Sequence, residues 1–158
     1  MEKNKILNEL KEKFGELKKE LKFKASYEQI NSMSYIEDLV LSEGYVSNQF
    51  SRQLINRMVE TFYSWAGNLH AWICPNPMDL IFLNENKQLN PEEKKEITDM
   101  IEKIMHLVRK NKRIAFEGKR KEEGEFIDEL VEFDKKYFNK FMLKYHKKFE
   151  ELWGEKPK

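Results

Sequence analysis

Apolar residues recur along the chain at steps of three and four, the period of helices, and no stretch makes a convincing strand. The first segment, Asn4 to Lys22, carries Leu7, Leu10, Phe14, Leu17 and Leu21. That spacing forms a heptad seam, narrower than the stripe of an ordinary core helix. A second helix is predicted from Ser26, with Gln29 three residues on as a capping box, to Gly44. A third runs from Ser47 or Asn48 to Cys74, where Pro75-Asn76-Pro77 ends it, and Met78 to Gln88 reads as irregular or a short turn. Asn90-Pro91-Glu92-Glu93 opens a fourth helix that reaches about Phe116 before Gly118. The fifth starts between Glu122 and Glu125 and continues to Trp153. The expected fold is all-α, a compact bundle of about five helices.

Charge sharpens that picture. Residues 26–90 hold only ten of the 57 charged side chains but nine of the twenty aromatics. Helices two and three should therefore lie at the centre, covered by the charged flanks 1–25 and 91–158. At 158 residues, with 40% hydrophobic content, the chain is expected to form one domain with a sizeable core. Bases and acids nearly cancel, 29 against 28, so no global field favours a polyanion. The heavy use of Lys and Glu, with four Gln and one Cys, has a thermophile-like cast. A single cysteine excludes an intramolecular disulfide framework. MEKNKILNELKEK has no apolar stretch of the signal-peptide kind, and the uncharged run Thr61–Met78 is too short and polar to span a bilayer. A cytoplasmic protein without membrane attachment is the expectation.

Chemistry-bearing residues are sparse. On ideal helical projections His106 and His146 fall opposite the apolar faces and read as solvated. His70 and Cys74 stand at i and i+4, a legitimate metal-ligand spacing, but no further soft ligands accompany them, so neither metal nor cofactor is expected. Cys74 reads as a small buried hydrophobe. Phosphate-binding loops, nucleophile elbows and di-iron Glu-x-x-His pairs are absent, and no catalytic residue is assigned.

Four features remain as candidate contact sites. The polar side of helix three carries Arg52, Asn56, Arg57 and Glu60, while Glu37 falls among apolar residues of helix two. These five could form a buried polar network or line a ligand pocket, and Glu37 should pair with an arginine, Arg57 by preference. The stretch 109–121 gathers Arg109, Lys110, Lys112, Arg113, Lys119, Arg120 and Lys121 against one acid. It could contact nucleic acid, unless the acids opening helix five neutralise it. The seam Leu7–Leu10–Phe14–Leu17–Leu21 either docks on the bundle or zips against a second copy in a homodimer. Met78, Leu80, Ile81, Phe82 and Leu83 either plug one end of the bundle or form an exposed contact patch. The leading function class is a non-catalytic helical interaction module for protein partners. A nucleic-acid-binding accessory subunit is the alternative, and a small-ligand or enzyme pocket on helix three a second.

Overall fold

The computed structural model describes residues 1–154, which form helices and no strand. The helices are α1 (Glu2–Leu21), α2 (Tyr27–Ser34), α3 (Ile36–Glu43), α4 (Phe50–Tyr63), α5 (Ala66–Ile73), α6 (Leu80–Lys87), α7 (Pro91–Glu117), α8 (Arg120–Phe133) and α9 (Asn139–Gly154). A π-helical turn, Asp134–Phe138, joins α8 to α9 without a loop. The all-α expectation holds; the expected count of about five helices is too low.

Several local signals act as predicted. Ser26 and Gln29 close a capping box at the start of α2, and Asn90 and Glu93 close another at α7, with Pro91 in its first turn. Gly44 and Gly118 end their helices with φ of 82° and 67°, a left-handed geometry that glycine adopts without steric cost.

The extra helices arise where the tertiary structure overrides local pattern. The expected second helix breaks at Tyr35, a non-glycine residue at φ 53°. Such a conformation costs about 1–2 kcal/mol, and side chains satisfy the polar groups the break releases. Arg57 Nε donates to the Ser34 carbonyl at 2.7 Å, and the Glu37 N–H donates to Asn31 Oδ1 at 3.1 Å. The third helix tightens at Ser64–Trp65, where Trp65 N–H donates to the Phe62 carbonyl, and so divides into α4 and α5. Residues expected to be irregular form α6, whose N-cap Asp79 accepts from the N–H groups of Ile81 and Phe82.

α4 is central, touching α1, α2, α3, α5, α7 and α8, and its Leu54, Ile55, Met58 and Phe62 are fully buried. The π turn follows from this core. Phe133 and Phe138 both meet the Phe62 ring edge-on, each with centroids 4.9 Å apart. A continuous α-helix would turn Tyr137, not Phe138, toward the core. The extra residue shifts the phase, so Phe138, Phe141, Tyr145 and Phe149 are buried and Tyr137 is half exposed.

Candidate interaction surfaces

The N-terminal seam is covered by the chain itself. Leu10, Phe14, Leu17 and Leu21 are buried, Leu7 is half-buried against the core, and α1 packs on α3, α4 and α8. Gly124 of α8 lies so close to α1 that a Cβ there would stand 2.5 Å from the Leu21 carbonyl oxygen. One turn on, Asp128 accepts the N–H groups of Lys24 and Ala25 at 2.9–3.0 Å. Of the two expected arrangements the seam takes the first, docking on the bundle, and a homodimer zipped through it would require α1 to leave.

The five residues assigned to a polar network divide. Arg52 and Asn56 come together through α7: Arg52 Nη1 donates to Asn111 Oδ1 at 3.0 Å, and Asn111 Nδ2 donates to Asn56 Oδ1 at 2.9 Å. Arg52 Nε also donates to Glu123 of α8 at 3.1 Å. Glu123 accepts Arg120 as well, which in turn donates to Ser51 and Glu20. This network ties α1, α4, α7 and α8 together, and it leaves the buried Arg52 Nη2 without a hydrogen-bond partner among the described residues. Glu60 is exposed and joins no part of it. The expected Glu37–Arg57 pair is absent: the break at Tyr35 moves Glu37 out of phase, so it accepts the Tyr27 hydroxyl at 2.6 Å while Arg57 caps α2. Asn111 and Glu123 were missed, although Asn111 interrupts the apolar face of Ile104, Leu107 and Ile114. A polar residue on such a face signals a buried partner.

The basic stretch is largely neutralised by nearby acids. Lys110 meets Glu129 at 2.6 Å, Arg113 meets both Glu117 and Glu122, Lys119 meets Glu117, and Arg120 meets Glu20 and Glu123. The hydrogen bond from Arg113 holds the half-buried Glu122 carboxyl below its ordinary value. Arg109, Lys112 and Lys121 are exposed and make no ion pair among the described residues. Phe116, in the last turn of α7, is 92% exposed.

His106 is exposed as expected, His70 is exposed as well, and the Cys74 thiol is exposed, not a buried hydrophobe. No three His, Cys, Asp or Glu side chains converge to hold a metal ion among the described residues. His146 is exposed, yet its ring lies edge-on to Trp65 and Trp72, at 5.2 and 5.7 Å. The expected exposure of His146 holds, and the π turn adds this aromatic contact.

α6 combines a fastened inner side with a bare outer one. Glu85 is buried, and its two carboxylate oxygens accept the indole N–H groups of Trp72 and Trp153 at 3.2 and 3.1 Å. Beside it, Asn86 donates to the Trp72 carbonyl at 2.7 Å. Phe82 packs against the core, but Met78, Leu80 and Ile81 are 87%, 72% and 61% exposed. The segment therefore plugs the bundle only through Phe82 and its half-buried neighbour Leu83. No helix among the described residues is long and apolar enough to cross a membrane. No known family, curated protein or solved structure matches the chain.

Proposed function

We propose that the protein is a non-catalytic helical interaction module, and that its contact surface for a protein partner is the outer face of α6. One observation carries the reading: Leu80 and Ile81 in the first turn of α6, with Met78 just before its N-cap Asp79, are exposed to solvent, and Glu85 and Asn86 fasten that helix to Trp72 and Trp153. A loosely held apolar segment could fold back to hide its side chains. α6 is held by polar bonds on its inner side, so Leu80 and Ile81 are presented in fixed positions, and the Met78 N–H donates to Asn76 Oδ1 at the entry to the helix; this lowers the ordering cost of binding. Each one fully covered by a partner contributes about 1.5–3 kcal/mol. A cytoplasmic setting is consistent with the lone exposed thiol of Cys74.

A photo-crosslinking residue at position 80 tests this, in wild type and in a Met78→Ser/Ile81→Ser background. The expected result is one dominant protein adduct, a second copy or another chain, that the double variant loses while its melting temperature stays unchanged. Absence of any adduct, or the same adducts from the double variant, would sink the proposal. A large drop in melting temperature would show that the two side chains serve the fold.

The second reading, polyanion contact, is favoured by the exposed Phe116 beside unpaired Arg109 and Lys112. Stacking on Phe116 would supplement the remaining charges. Salt-sensitive retention on a polyanion column, lost in Arg109→Gln/Lys112→Gln, would support it; passage of the wild type at low salt would not.

A further inference from the structure

A pocket of about 380 Å³ lies between α2 and the start of the π turn, a volume in the range of small-molecule sites. Two departures from regular helix line it: Tyr35, the non-glycine residue at positive φ that ends α2, and Asp134 and Lys135, the first residues of the π turn. π-Helical turns recur at functional sites in proteins. Met33 and Val131, both buried, contribute apolar surface. Gln29, Ser32 and Asn139 bring amide and hydroxyl groups.

Asp134 is the group that the fold leaves unmatched. It is half-buried, and its carboxylate has neither a hydrogen bond nor an ion pair among the described residues. Desolvation pushes the carboxyl above its ordinary range, and the neighbouring Lys135 offsets this only in part. A carboxylate taken out of water without a donor costs stability, and nothing in the packing requires one here. Across the pocket, Gln29 Oε1 accepts the Ser26 N–H at 2.9 Å, which orients the amide and leaves its Nε2 without a partner among the described residues. The charged side chains lining the pocket are Asp134 and Lys135, one of each sign. That balance favours neither a polycation nor a polyanion, and no metal-binding group converges among the described residues. It matches a small molecule that carries both charges itself. The ammonium of such a zwitterion would give Asp134 the charged donor it lacks, and its carboxylate would meet Lys135. A polar side chain would reach the amide and hydroxyl groups.

We propose that this pocket binds a free α-amino acid with a polar side chain, and that Asp134 holds its ammonium. The site is separate from α6 and independent of the function proposed for it.

NMR titration of the full chain with L-glutamine, L-asparagine and L-serine tests this, with butylamine and butyrate as probes that carry one charge each. The expected result is a saturable change in the shifts of residues 29–35 and 131–139 with at least one of the three amino acids. Both single-charge probes should bind more weakly. Asp134→Asn should weaken the best amino acid about tenfold. The same variant removes an unpaired charge, so its melting temperature at neutral pH should equal or exceed that of wild type, and the lost affinity is then not a loss of fold. Lys135→Gln, at an exposed position, should weaken binding about threefold. Absence of saturable binding by all three amino acids at millimolar concentration would overturn the proposal. So would full affinity in Asp134→Asn, or a single-charge probe that binds as tightly as the best amino acid. If Asp134→Asn proves unstable, the wild-type shift map decides: changes confined to the two segments support the site, and changes elsewhere refute it.

Discussion

Replacing glycine by alanine at two positions should move stability in opposite directions. Gly15 is exposed on α1, with open space where a Cβ would be, so Gly15→Ala should gain about 0.5–1 kcal/mol through helix propensity. Gly124 is buried where α8 meets the end of α1. Its Cβ would lie 2.5 Å from Leu21 O and 3.0 Å from Leu21 Cβ. Ordinary contact begins near 3.4 Å, so the helices must separate by about 0.9 Å (3.4 − 2.5) at that point. The obstacle is backbone, which no rotamer change can remove. The same separation pulls on the bonds from Lys24 and Ala25 to Asp128, one turn along α8. Overpacking of this kind costs about 1–3 kcal/mol, and strained bonds to a charged acceptor add to it. Alanine's better helix propensity returns up to about 1 kcal/mol. The net expectation for Gly124→Ala is a loss of about 1–3 kcal/mol, or roughly 2–4 °C of melting temperature per kcal/mol for a chain this size. Urea titrations of both variants, with unchanged slopes, measure it. A Gly124→Ala midpoint at or above wild type would refute the close approach of α1 and α8, and Gly15→Ala calibrates the propensity gain.

Two further outcomes can be measured directly. Glu85→Gln puts an amide donor opposite one of two indole N–H groups, so it should cost about 1–3 kcal/mol and shift tryptophan emission. Unchanged stability and emission would mean that Glu85 does not hold α6. Burial raises the Asp134 carboxyl above its ordinary value. A raised folded-state value means that the folded chain holds this proton to higher pH than the unfolded chain. The group's contribution to stability is therefore most favourable in acid and declines as pH rises through the interval between the two values. Asp134→Asn should be more stable than wild type at about pH 7, with the difference gone near pH 3, below both values. A variant less stable than wild type at neutral pH contradicts this.

The sequence by itself determined the helical class, the capping boxes at Ser26 and Asn90, the glycine stops at 44 and 118, and the seam of α1. Each is written within one or two turns, where spacing and cap chemistry act directly. The apolar content of α6 was also legible, though neither its helix nor the exposure of Met78, Leu80 and Ile81 was. Tertiary structure decided what depends on residues far apart in the chain. The break at Tyr35 is sustained by Arg57, and the π turn by Phe62, which both Phe133 and Phe138 reach. Each local departure costs energy that only distant partners offset. From there the phase of everything downstream changes, which moved Glu37 away from Arg57, His146 against Trp65, and Tyr137 outward. Polar partnerships follow the same logic. Arg52, Asn111 and Glu123 come together because α4, α7 and α8 pack around a shared core, and a one-dimensional pattern carries the faces of helices but not which faces meet.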